Sequence, residues 1–70
     1  MLNNYKSGQI VLFRDDLEIG IEYNGITFLS AMVDKINSVW IIDEFDETDN
    51  TFTLLNDTSG FWYSTEMLAI

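Results

Sequence analysis

Carboxylates are the only chemically versatile group this chain carries in quantity. Five of them, Asp43, Glu44, Asp46, Glu47 and Asp49, fall within seven consecutive positions. Four more, Asp15, Asp16, Glu18 and Glu22, crowd a second segment. Acids grouped this closely can do three things. Two of them flanking a sugar can cleave a glycosidic bond, given a cleft and a frame large enough to hold the substrate. Several converging can hold calcium, given alternating ligands and a glycine at the sharp turn. Exposed together, they can attract a basic partner. A chain of 70 residues rarely has room for the first. The segment around Asp46 lacks the ligand spacing and the glycine needed for the second. The third stands, beside the plain alternative that these charges keep a turn solvated and discourage strand pairing at a sheet edge.

Other chemistry is closed off by composition. There is no cysteine, histidine or proline. A Ser-His-Asp or Cys-His unit cannot be assembled, and a zinc, redox or disulfide site on Cys or His is excluded. Gly20 and Gly25 lack the fingerprint of a phosphate-cradling loop. Lys6 and Lys35 show no sign of the desolvated setting that activates a lysine. The expectation is therefore a non-enzyme with no cofactor and no metal. Three bases against twelve acids give a net charge of −9, a field that opposes direct binding to nucleic acid or to an anionic membrane. No apolar run approaches the roughly 18 residues of a membrane span. No basic stretch precedes an apolar one, so no signal peptide is expected, and the absence of cysteine suits the cytoplasm. Five Phe, three Tyr and two Trp are too many for a disordered acidic tail. They predict one folded domain over residues 1–70.

The elements that must position these acids follow from short β-branched runs between turn signals. Ile10-Val11-Leu12-Phe13 reads as a first strand, and Asp15 to Gly25 as a long ordered loop pinned by Leu17, Ile19 and Tyr23. Ile26-Thr27-Phe28 reads as a second strand. Ser30 is placed to cap a short helix over Ala31 to Lys35. Val39 to Phe45 is the longest strand, Asp46 to Asn50 a hairpin turn, and Thr51 to Leu55 the return. Asn56 to Gly60 turns again into a last strand, Phe61-Trp62-Tyr63, and Ser64 caps a closing turn over Thr65 to Leu68. Five short strands with one or two helical turns predict a mainly β fold, a small, strongly curved barrel of SH3 type that covers its own core, with a split α+β sheet as the alternative.

Alternation then assigns faces. With Val11 and Phe13 inward, Ile10 and Leu12 point outward. With Trp40 and Ile42 inward, Ile41 points outward. An exposed Ile10, Leu12 and Ile41 would form an apolar patch of the kind that marks interfaces, unless other segments cover it. Tyr23, Phe28, Trp62 and Tyr63 could line a peptide groove or fill the core.

Taken together, Gly8 to Leu17, the stretch Gly20-Ile21-Glu22-Tyr23-Asn24-Gly25-Ile26-Thr27-Phe28, Met32, and the ending Trp62-Tyr63-Ser64-Thr65-Glu66-Met67-Leu68 resemble the YorP-like small phage and prophage proteins. The resemblance covers nearly the whole chain. It implies an SH3-like barrel, a phage or prophage origin and a structural role for Asp16, such as an Asx-turn bond within its own loop. Asn37-Ser38 stand where the family has Gly-Lys, and Asn24 where it has the first glycine of a pair. The basic residues common in the family are mostly gone.

The function expected is docking onto a host protein that is itself basic, through Asp43, Glu44, Asp46, Glu47 and Asp49, with Asp15, Glu18 and Glu22 as further surface acids. One concrete form is an anti-defence inhibitor that imitates the charge of nucleic acid. Duplex DNA carries one negative charge per about 1.7 Å of axis, and the acids approach that density if they share one face. The alternative is a self-associating accessory module, a homodimer through Ile10, Leu12 and Ile41, in which the acids only confer solubility.

Overall fold

The central strand carries the architecture, because its β-branched and aromatic residues suit a pleated, half-buried surface. In the computed structural model, which describes residues 5–69, it runs from Val39 to Asp46 as β4. Before it come β1 (Ile10–Leu12), β2 (Glu22–Tyr23), β3 (Ile26–Thr27) and a 3₁₀ helix over Ser30–Lys35. After it come β5 (Thr51–Leu54), β6 (Tyr63–Ser64) and a 3₁₀ turn over Thr65–Met67. One antiparallel sheet has the order β1-β4-β5-β6, and β2 and β3 form a separate hairpin. The protein is mainly β, a curled antiparallel sheet with short helical turns, in the manner of a small SH3-like fold.

Backbone hydrogen bonds curl the sheet. Phe13 bridges Leu68, the Arg14 N–H donates to the Met67 carbonyl at 2.9 Å, and the Ala69 N–H donates to the Leu12 carbonyl at 2.8 Å. The segment after β6 thus returns to flank β1 on the side away from β4. Its turn is held by Ser64, whose hydroxyl accepts the Glu66 N–H at 3.1 Å, as its position before Thr65 predicts.

The core lies inside this curl. Phe13, Phe52 and Tyr63 are fully buried and meet one another, Phe13 edge-on to Tyr63 at 5.5 Å between ring centres. Tyr23 packs edge-on to Phe28 at 6.4 Å. Truncating a ring of this kind leaves a void costing about 3–5 kcal/mol, so Phe13→Ala alone would remove much of a small domain's stability.

Several expectations are corrected. The described residues make six strands in two sheets, because the loop from Asp15 to Gly25 contains β2. Asn24 and Gly25 both adopt positive φ, 50° and 92°, the pairing a two-residue hairpin needs. Ile19 does not pin that loop; it is exposed, while Leu17 and Tyr23 are buried. Ser30 is not the cap of its helix. It lies inside the helix, and Leu29 holds the cap position. The last strand begins at Tyr63, leaving Phe61 and Trp62 before it.

Candidate functional site

Two adjacent acids and a phenylalanine set the geometry of the acidic hairpin. Strict alternation along β4 would turn Glu44 inward and Phe45 outward. Burial of a charge without a partner is too costly for that. The strand instead carries a bulge: Ile42 pairs Leu54, Phe45 pairs Phe52, and the register shifts between them. Asp43 and Glu44 are both exposed, and Phe45 is returned to the core side. The Glu44 N–H, freed from the ladder, donates to the Thr53 hydroxyl at 3.2 Å. Bulges of this kind re-aim side chains.

Beyond the bulge the turn ties itself down. The Asp46 carboxylate accepts the Thr48 N–H at 3.0 Å and the Thr48 hydroxyl at 2.5 Å. These bonds, the hydroxyl first, hold its pKa below the ordinary aspartate value. Asp49 accepts the Thr51 hydroxyl at 2.6 Å. Asn50 closes the turn in the left-handed region at φ 60°, its N–H donating to the Asp46 carbonyl at 2.9 Å.

Trp62 faces this turn. Residues Phe61, Trp62 and Tyr63 alternate half-buried, exposed, buried, and Trp62 is 41% exposed. Two open depressions meet at its side chain. The larger, of about 690 Å³, is lined by Tyr5, Phe45 and Trp62 together with Glu44, Asp46 and Glu47; Lys6 also borders it. The smaller, of about 300 Å³, sets Trp62 beside Ile26, Asp46, Asp49 and Thr51. Trp62 and Asp46 are common to both. Among the described residues no cation pairs with Asp43, Glu44, Asp46, Glu47 or Asp49.

The other predicted acids lie elsewhere. Asp15 lines a separate depression of about 350 Å³ with Arg14 and Asp16. Asp16 does not make the Asx turn expected of it. Its two oxygens accept from Arg14 Nε at 2.9 Å and from the terminal guanidinium nitrogen at 3.0 Å, which lowers its pKa and raises that of Arg14. Glu18 uses its backbone N–H to donate to the Tyr23 hydroxyl at 3.1 Å, and its exposed side chain borders none of these depressions. The same holds for Glu22, which pairs Thr27 across the β2–β3 hairpin. The structure therefore gathers Glu44, Asp46, Glu47 and Asp49 around Trp62 and leaves Asp43, Asp15, Glu18 and Glu22 out of that site.

The apolar positions follow alternation. Ile10 is 67% exposed and Ile41 is exposed, while Leu12 is half-buried. Ile10 pairs Ile41 and Leu12 pairs Val39 across β1 and β4. Of the aromatics, Tyr23, Phe28 and Tyr63 are core residues and Trp62 is not.

One environment is the reverse of expectation. Lys35 is desolvated, its side chain 3% exposed. Its ammonium lies 4.6 Å from the Trp40 ring centre, 3.0 Å from Asp34 and 3.7 Å from the largely buried Asp57. Asp57 in turn accepts the Tyr63 hydroxyl at 2.9 Å. Burial pushes the Lys35 pKa down, but the Asp34 bond and the surrounding acidic groups outweigh it and the net shift is upward. Burial likewise pushes Asp57 up, yet bonds from Tyr63 and Ser59 and the charge of Lys35 bring it below the ordinary value. This is a closed structural clamp, with no free base or nucleophile. The signal that could have found it is Lys35 itself, a lone cation three residues after Met32 on the helix face that enters the core.

Among the described residues, no group of three acids converges well enough to hold a metal, and no helix is long and apolar enough to cross a membrane. No family model, curated protein or solved structure matches this chain.

Proposed function

We propose that this chain is a non-enzymatic binding protein, a phage or prophage accessory factor that docks a basic segment of a host protein against the acidic hairpin. The observation that carries this reading is Trp62. It is an exposed aromatic set between two depressions whose carboxylates form no ion pair among the described residues, although Lys6 borders the larger one. Two of the three bases, Arg14 and Lys35, are consumed by internal pairs with Asp16, Asp34 and Asp57. The remaining field is strongly negative and concentrated at the hairpin. Such a field speeds encounter with a basic partner and selects against acidic ones.

A local groove is favoured over imitation of a whole duplex. The body is 27 Å in its longest dimension, a length over which duplex DNA carries about 16 charges. Twelve acids less the three in ion pairs leave nine, and Asp15, Glu18 and Glu22 lie outside the groove.

Affinity for a basic partner should fall steeply between low and high salt. Glu44→Lys with Glu47→Lys should abolish capture, and binding indifferent to both salt and this pair of changes overturns the reading.

Self-association is the second reading, supported by the aliphatic pairs Ile10–Ile41 and Leu12–Val39. Ile10, Val39, Ile41 and the adjoining Leu55 are exposed, and a specific interface buries at least about 1,000 Å² in all. Sedimentation at rising concentration tests it: a dimer at micromolar concentration would support it.

A further inference from the structure

The groove offers more than charge. We infer that Trp62 is its recognition element and that the occupant is an arginine side chain of the partner segment, its guanidinium stacked on the exposed indole and held between Asp46 and the carboxylates on either side. This rests on the docking reading above and names the chemistry that reading leaves open.

The same molecule contains a filled version of the arrangement. Lys35 lies over Trp40 at 4.6 Å with carboxylates of Asp34 and Asp57 beside it. An indole face and flanking carboxylates are together a cation receptor, the ring through its negative face and the acids through their charge. Trp62 has the same kind of neighbours. Asp46 borders it in both depressions, Glu44 and Glu47 border it on one side, and Asp49 on the other. Asp46 is held as an acceptor of fixed orientation by Thr48, and a carboxylate already anchored loses little freedom when it takes a further donor.

The site differs from its internal counterpart in being open, and that difference selects arginine. Lys35 is enclosed, so a compact ammonium suffices there. Across an open depression a planar, weakly hydrated guanidinium covers the ring, and its fork of N–H donors can reach carboxylates on two sides at once. Phe45 borders the same depression and adds apolar surface beside the stem of the side chain. Lys6 borders the same depression and opposes the incoming charge.

The test uses the full chain and two short, uncharged-flank peptides, each with two arginines or two lysines in the same places. Binding to every variant is read by titration calorimetry, and in the parent chain also from the indole N–H resonance of Trp62, with that of Trp40 as an internal control of the fold. The arginine peptide should bind at least about threefold more tightly, as stacking and forked bonding require. Trp62→Ala should weaken it about five- to tenfold, with little change for the lysine peptide, and Trp62→Phe should fall between. Lys6→Ala should strengthen both peptides. If Trp62→Ala leaves the arginine preference intact while Glu44→Lys with Glu47→Lys removes binding, the inference fails and acidic docking survives. If neither peptide moves the Trp62 resonance at millimolar concentration in low salt, both fail.

Discussion

Two places in this small molecule set an indole beside carboxylates, and they do opposite work. Around Trp40 the cation belongs to the chain. Lys35 enters from a 3₁₀ helix, the turn after β5 supplies Asp57, and Tyr63 bonds Asp57 from the core. Lys35 and Asp57 are shut from water, with Asp34 at the exposed rim, so the charges of the buried pair are worth more to one another and costlier to separate. Around Trp62 the acids come from a bulge and a turn that face solvent, and no described residue forms an ion pair with them. Similar residues therefore make a clamp where the fold closes over them and an open groove, for which we propose docking, where it does not. Enclosure separates the two.

The comparison can be broken in several ways. The largest effect is expected from Asp57→Ala, which leaves a buried ammonium and the Tyr63 hydroxyl short of a partner. Losses of one member of a buried pair run to several kcal/mol. With Asp34 still at hand, about 3 kcal/mol is expected by denaturant titration, with m unchanged. Lys35→Met combined with Asp57→Leu should cost far less than Asp57→Ala alone, because both charges go together. If the double variant is as unstable as the single one, the clamp is not the reason for the loss.

Acid should produce a milder version of the same loss. Asp57, Asp16 and Asp46 have folded pKa values below their ordinary ones. Each therefore adds stability that is complete above the ordinary aspartate pKa and lost as the pH falls through the folded value. Lys35 is shifted upward, so its contribution is present below the ordinary lysine pKa and disappears only as the pH rises past the folded one. Stability should be flat through neutrality and decline at both extremes. In the Asp57→Ala variant the acid decline should be shallower.

The groove should behave the other way. Glu44→Lys with Glu47→Lys should change stability by no more than about 0.5 kcal/mol, as exposed substitutions do, yet lower affinity for a basic partner at least about tenfold. A large stability change there would make the hairpin acids structural and erase the contrast with Lys35. The smallest effect is expected on the aliphatic face. Ile10→Thr with Ile41→Thr should alter stability by under about 1 kcal/mol and leave the sedimentation coefficient unchanged.

Much of the fold was legible in local signals. Val11 and Phe13 alternate with Ile10 and Leu12, and burial follows. Ser64 caps the last turn because its hydroxyl reaches an N–H two residues on, a purely local event. Asp46 to Asn50 turn because Asp46 bonds Thr48 and Asn50 tolerates positive φ. The bulge was less visible, though Asp43, Glu44 and Phe45 together announce it, since no strict alternation can expose both acids and bury the ring. Lys35 misled because a lysine on a short helix is ordinarily solvated. Only the approach of Asp57, 22 residues later in the chain, makes its burial tolerable.

The chain alone determined the excess of negative charge, the absence of thiol and imidazole, the strand-and-turn rhythm and the faces of the first strand. These depend on composition and on contacts a few residues apart. Tertiary structure alone decided which acids meet an aromatic ring, which cation is enclosed, and that Trp62 stands outside while Tyr63 lies within. Those outcomes depend on the curl that brings the segment after β6 back to β1 and on a one-residue slip in β4. Desolvation, which sets the worth of every charge here, is a property of the assembled body and not of any stretch of chain.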